Sequence, residues 1–232
     1  MTKTVVIHQP DFLSYLGFFH RLLFADVFVV LDTAQFVDGT SQSWTHRDKI
    51  KTSKGEKWLS ISVRKAPRDT AIRDILLSDA VDWRAANLNL LRENYREALY
   101  FEEIFPHIER LYTFKCEKLM DFNLRSISML LAIFNIEIPM IFASDLGVQG
   151  KKNELLVDIL RKVGATRYLS GVGAKNYFDP APFKGTEIEV VWQKFTHPVY
   201  PQLHGEFIPY LSSIDLLFNC GIEKSREILR GC

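Results

Sequence analysis

The run His8-Gln9-Pro10-Asp11 places an imidazole, an amide and a carboxyl within four residues, directly after the apolar run Thr4-Val5-Val6-Ile7. Beyond the carboxyl end of a strand, a parallel sheet delivers side chains to a ligand. His8 can act there as a general base or donate a hydrogen bond to a phosphate. A loop histidine bonded to a backbone carbonyl is the plainer alternative. Gln9 and Asp11 are candidate substrate ligands. Gly17, where a helix should begin, would let a ligand approach the backbone, and a helix N-terminus favours anions. The same glycine could simply ease close packing. Asp32 follows a second apolar run, Val27-Phe28-Val29-Val30-Leu31. It could bind a ribose hydroxyl, a metal or a substrate amine, or it could cap a turn. Gln35 nearby could hydrogen-bond a sugar or a base.

A second constellation is Trp44-Thr45-His46-Arg47-Asp48-Lys49-Ile50-Lys51. Arginine grips phosphate or carboxylate through two parallel bonds, and lysine supplies a mobile charge. With Trp44 as a stacking platform, Arg47, Lys49 and Lys51 suit the diphosphate of a nucleotide or nucleotide sugar. A solvated basic loop is the competing reading. Gly171-Val172-Gly173-Ala174-Lys175 follows a strand and is similar to a phosphate-cradling turn. It lacks the spacing of a P-loop or a dinucleotide fingerprint. In the proline-bounded loop that holds His197, Tyr200 and His204, His204 is the candidate site residue. No pair of ligands has the spacing of a metal site, and no G-x-S-x-G elbow occurs.

These residues need strands and helices to position them. Continuous β-branched and apolar runs predict buried strands at 4–7 and 27–31. Further strands are expected at 58–63, 138–143, 167–170 and 188–192. Helices are expected at 17–24, 153–163, 213–218 and 224–229, and residues 33–55 read as one long polar loop. From 72 to 135 the apolar residues recur three and four apart, which predicts a helical lobe. Strands alternating with helices at both ends give an α/β fold, a Rossmann-like, mostly parallel sheet with that lobe inserted or appended. The whole chain, 1–232, reads as one domain.

Composition narrows the function. The chain has 232 residues with 47% hydrophobic and 25% charged, enough to bury a sizeable core. Its formal net charge of +1 offers no global field for a nucleic acid or an anionic membrane. Three cysteines, with no CxxC pair, argue against a disulfide framework or a structural zinc site. The N-terminus lacks the order of a signal peptide, and the apolar stretch at 22–31 is too short to span a bilayer. A soluble, cytoplasmic protein is expected.

The sequence resembles the WbqC-like family. The resemblance is carried by His8-Gln9-Pro10 with Gly17-Phe18-Phe19, by Asp32 with Gln35-Phe36, and by Trp44-x-x-Arg47-Asp48-Lys49-Ile50. It continues through Tyr168-Leu169-Ser170-Gly171, Tyr200-Pro201-Gln202 and Ser212-Ser213-Ile214-Asp215-Leu216-Leu217-Phe218-Asn219. Ser14 departs from it, standing where the family tends to have proline. The resemblance implies a role in O-antigen or other surface-polysaccharide synthesis. It also implies transfer of a glycyl or other aminoacyl group to an amino sugar. A weaker resemblance is to nucleotidyltransferases of the pantothenate-synthetase kind. Their H-x-G-H motif is replaced here by Tyr15-Leu16-Gly17-Phe18, which counts against adenylyl transfer.

Three readings follow. In the first, the protein transfers an acyl or aminoacyl group to a nucleotide-linked amino sugar, with His8 or Asp32 as base. In the second, it is an adenylating enzyme with phosphates near Gly17, Gly171, Gly173 and Lys175. In the third, it binds a sugar nucleotide or a partner enzyme without turnover. Apolar residues at 207–211 could also serve a dimer. The sequence names no cofactor.

Overall fold

A computed structural model describes residues 2–38 and 43–232. Met1 and residues 39–42 of the expected polar loop lie outside the described residues.

The apolar runs form a five-stranded parallel sheet. Its strands are β1 (Thr4–His8), β2 (Val27–Val30), β5 (Met140–Phe142), β6 (Arg167–Ser170) and β7 (Glu189–Trp192). Their order is β5-β2-β1-β6-β7, and every neighbouring pair is parallel. The architecture is Rossmann-like α/β. The chain leaves β1 toward β2 on one side and later returns to place β6 on the other. The order therefore reverses between β1 and β6, where doubly wound sheets bind their ligands.

Both faces of the sheet are covered, so its strands are apolar on both sides. Val6, Phe28 and Val30 join one cluster with helices α1 (Leu16–Leu22), α3 (Phe101–Tyr112), α4 (Leu119–Phe134) and α6 (Ser213–Arg230). Helix α2 (Trp83–Tyr95) adds Leu91 and Tyr95 to it. Val5, Ile7, Val27 and Val29 face a smaller cluster built on α5 (Asn153–Lys162). Each such aliphatic side chain stabilises the fold by roughly 1.5–3 kcal/mol.

The reading of the polar stretch is corrected. Residues 33–55 are not a single loop. They contain β3 (Arg47–Thr52), which pairs antiparallel with β4 (Gly55–Ser60) in a separate hairpin. The strand expected at 58–63 is thus observed at 55–60. Charge hid the first strand, because Asp48 and Lys51 are both buried within it. The two helical segments expected at 213–218 and 224–229 both lie within α6, separated by a non-helical residue at Gly221 (φ 73°, ψ 173°). A side chain there would meet the Tyr100 ring at 2.5 Å.

The loop between β1 and α1 is held firmly. Ser212 Oγ donates to the carbonyl of Leu13 at 2.5 Å, and Ser213 N donates to Ser14 O at 3.2 Å. Ser212 N donates to Lys49 O at 2.9 Å, so the start of α6 stitches this loop to the hairpin. Asp215, fully buried, accepts from Tyr95 Oη at 2.6 Å, Tyr200 Oη at 2.9 Å and Gln202 Nε2 at 2.8 Å. These bonds give the Ser212–Asn219 motif a structural reason.

Candidate functional site

At the carboxyl end of β1 the chain turns sharply. His8 Nδ1 lies 3.0 Å from Gln9 O and 3.6 Å from Asp11 Oδ2. The ring also packs edge-on against Phe18 at 5.2 Å. Thr45, from the segment before β3, points its hydroxyl at Asp11 Oδ1 (3.3 Å) and Gln9 Oε1 (3.4 Å). One side chain fixes this meeting of two loops. Asn123 of α4, completely buried, donates from Nδ2 to Pro10 O at 2.7 Å and to Thr45 O at 2.6 Å.

Burial here rearranges the protons. Asp11 is pushed up to about 7, because desolvation outweighs its bond from Thr45 and the nearby Arg21 charge. His8 moves the other way. Burial and then the Arg21 charge hold its imidazole well below the usual range, against the Gln9 carbonyl that favours protonation. Its side chain is still 30% exposed, and the direction rests on the Arg21 charge as well as on burial. In water an imidazole binds a proton more tightly than a carboxyl does. Here the order is inverted. Near neutral pH His8 is an uncharged hydrogen-bonding group, and Asp11 is the residue poised to take or give a proton. Asp48 of β3 is also buried and raised well above the carboxylate range, by burial first and with Asp11 adding to it.

The opposite wall comes from α1 and β6. All seven residues of α1 are buried, Arg21 included. Gly171 follows β6, and a Cβ on it would lie 2.3 Å from Arg21 Nη1. The guanidinium therefore rests against that glycine, at the switch point. Burial lowers the proton affinity of Arg21, while Tyr15, Tyr168, Asp11 and Tyr177 favour its charge. Tyr177 is 74% and Tyr210 56% exposed. Tyr210 packs on Tyr15 at 6.3 Å with φ at +60°. A bulky residue held in that conformation is often a feature of binding sites.

The remaining residues singled out from the sequence have definite places. Asp32 sits one residue past Leu31 at the same sheet edge, buried, and its Oδ1 accepts from Ser144 N at 3.0 Å. Gln35 donates to Arg68 O at 2.6 Å. Gly17 lies under the Tyr15 ring, which a Cβ would meet at 2.4 Å. Trp44 packs on Trp58 at 5.4 Å, and Arg47 and Lys49 lie over the Trp58 ring at 4.3 and 5.1 Å. Lys49 also pairs with Glu56. Lys51 is buried and donates to the carbonyls of Gly205 and Glu206. Gly173 and Lys175 fall in a 3-10 turn, Val172–Tyr177, with Lys175 Nζ 5.5 Å from the Trp192 ring. His204 is bonded to Asn94 O at 2.8 Å. The structure thus brings together His8, Gln9, Asp11 and Gly171, and places Lys51 and His204 on another side of the hairpin.

Sequence reasoning missed Arg21, Thr45, Asp48 and Asn123. Arg21 left a signal, a guanidinium inside the apolar run Leu16-Gly17-Phe18-Phe19-His20-Arg21-Leu22, and Thr45 and Asp48 lie within the basic run already singled out. Among the described residues, no group of three or more His, Cys, Asp or Glu could hold a metal ion. No helix among them is long and apolar enough to cross a membrane. Two surface grooves lie elsewhere, of about 470 Å³ beside α5 and about 370 Å³ between α3, α4 and α6. Topology and the cluster of His8, Asp11 and Asp48 favour the switch point.

Comparison with known proteins bears out the family resemblance. The model of the WbqC-like protein family matches residues 9–227. A protein of Mycobacterium tuberculosis (strain ATCC 25618 / H37Rv), the uncharacterized protein Rv1507c, is 32% identical over 233 residues, covering 99% of this chain and 99% of that protein. No solved structure matches the chain.

Proposed function

Because the chain belongs to the WbqC-like protein family, we propose that it modifies an amino sugar carried on a nucleotide, in the cytoplasmic stage of surface-polysaccharide synthesis. The observation that carries the reading is the inverted proton order of Asp11 and His8 at the sheet's switch point.

The reaction is acyl or aminoacyl transfer. The sugar amine attacks the carbonyl carbon of an activated donor. A nitrogen–carbon bond forms, the bond from that carbon to the leaving group breaks, and the leaving group departs with the electron pair. Asp11, as carboxylate, accepts the proton that the amine loses. Thr45 holds that carboxyl in place, and neutral His8 offers a ring nitrogen to orient the nucleophile. Trp44 and Trp58, with Arg47 over the second ring, give an aromatic platform for the base or sugar. This reassigns the role of base from the residues that sequence position favoured. Asp32 is engaged with the Ser144 amide, and His8 is too weak a base.

The test is to incubate the purified protein with nucleotide-linked amino sugars and a panel of acyl and aminoacyl donors, and to follow product mass. Amide formation that Asp11→Asn reduces at least a hundredfold is the expected result. Full activity in Asp11→Asn would overturn the assignment of the base. Ligand binding without turnover across the panel would leave a sugar-nucleotide binding protein in its place.

A further inference from the structure

We propose that Arg21 and the Gly171 backbone form an oxyanion-binding subsite at the switch point, built to take the phosphoryl oxygens of the substrate. The proposal rests on the location of the site given above and not on the reaction assigned to it.

The first observation is a buried guanidinium whose Nε has no hydrogen-bond partner among the described residues. Arg21 is 5% exposed. Buried arginines normally find carboxylates or carbonyls, because an unpaired ion in a poorly polarisable medium is costly. The other arginines that reach inward here do so. Arg226 Nε donates to Ile133 O at 2.6 Å and Arg84 Nη1 to Tyr112 O at 3.0 Å. Arg21 departs from that pattern.

The second observation is the space made for it. Gly171 has an ordinary φ of −73°, so its backbone does not need glycine. The absent side chain lets the guanidinium lie where it does, since a methyl group there would be 2.3 Å from Nη1 and would displace it. Close backbone approach at the end of a strand is also the usual way a doubly wound fold admits a phosphate.

The third observation is the charge balance. The acids within electrostatic reach are Asp11 and, through it, Asp48, and both favour their neutral forms. Below neutral pH one positive charge thus stands largely uncompensated. A guanidinium satisfies two oxygens of a phosphate or carboxylate with a planar fork. The lysines that sequence alone assigned to phosphate have other partners, Lys49 in Glu56 and Lys51 in the carbonyls of Gly205 and Glu206.

Titration calorimetry with three probes tests the proposal: inorganic phosphate, the nucleoside diphosphate UDP, and acetate. Binding of phosphate and UDP, weakened about tenfold or more by Arg21→Met, supports a phosphoryl site. Acetate binding with the same dependence on Arg21 supports the subsite with a carboxylate as its occupant. Gly171→Ala should produce the same loss while leaving Arg21 in the chain. Arg21→Met should melt at or above the wild-type temperature in the absence of anions, because it removes a buried guanidinium with an unpartnered Nε. The proposal is overturned if none of the probes binds the wild type, or if Arg21→Met binds them equally well. It is also overturned if Arg21→Met lowers the melting temperature by about 5 °C or more, which would make Arg21 a structural residue. Arg21-dependent UDP binding without amide formation would sink the transferase reading and leave the subsite standing. Turnover by Arg21→Met at the wild-type KM would do the reverse.

Discussion

Asp11→Asn should stabilise the folded protein, and by an amount that grows with pH. Asp11 titrates at 3.8 in the unfolded chain and is raised to about 7 in the fold, mainly by burial. Between these values the folded state keeps a proton that the unfolded chain has released. Stability must therefore fall as pH rises from about 4 to about 7 and then level off. At about 1.4 kcal/mol per tenfold change in proton affinity, the full loss approaches about 4 kcal/mol above pH 7. Asparagine mimics the protonated acid. It is uncharged, and its carbonyl oxygen can still accept from Thr45 Oγ1, now 3.3 Å from Asp11 Oδ1. The assay is urea unfolding of both proteins at intervals from about pH 4.5 to about pH 8.5. The two curves should nearly meet at the acid end and separate steadily toward neutrality. Asp48 shifts in the same direction and adds a slope of its own to both proteins. Stability curves that run parallel across the whole window would show that Asp11 titrates as an ordinary carboxylate, and the general-base assignment would fall with that result.

Asn123→Ala strips the bonds to Pro10 O and Thr45 O and leaves both carbonyls buried. It also removes the unpaired Asn123 Oδ1, so the net cost is about 3 kcal/mol and a drop in melting temperature of about 6–12 °C. Asp215→Asn turns an amide N–H toward one of three donors, Tyr95, Tyr200 or Gln202, and should lower the urea midpoint by an amount equivalent to about 2 kcal/mol. Gly221→Ala combines a backbone conformation only glycine adopts freely with a 2.5 Å approach to Tyr100. It should cost about 3 kcal/mol or more, or prevent soluble expression, and an unchanged melting temperature would contradict the kink.

The sheet was legible because its strands carry their own signal. Val5, Val6, Val27, Val29 and Val30 are β-branched and buried on both faces, so nothing distant is needed to recognise them. The hairpin strand β3 was not legible. Its residues Arg47-Asp48-Lys49-Ile50-Lys51-Thr52 read as a solvated run, and the carbonyls that satisfy Lys51 lie 154 and 155 residues away. Site residues divide the same way. His8, Gln9 and Asp11 could be placed at the carboxyl edge of the sheet because the strand before them is plain. The commitments of Asp32 to Ser144 and of His204 to Asn94 depend on contacts 112 and 110 residues distant. The titration of Asp11 could not be read from its neighbours in sequence either, since its burial is assembled by Thr45 and by Asn123 of α4.

A simpler arrangement was open to this fold. Asp11 and Arg21 are close enough to influence each other's charge. A direct ion pair would have pulled Asp11 below the carboxylate range and satisfied the guanidinium. Instead the acid's proton affinity is raised and the guanidinium keeps an unpartnered nitrogen. Both features cost stability, and both lie within one corner of an otherwise well-packed sheet. Groups left unpaired in this way await something that pairs them. An oxyanion on Arg21 would cancel the positive charge that draws Asp11 downward, and so raise its affinity for a proton. The bound anion thus favours protonated Asp11, so the carboxylate that serves as base is populated at a pH above about 7. Anion binding and proton binding at this corner must therefore be coupled, each tightening the other by the same factor.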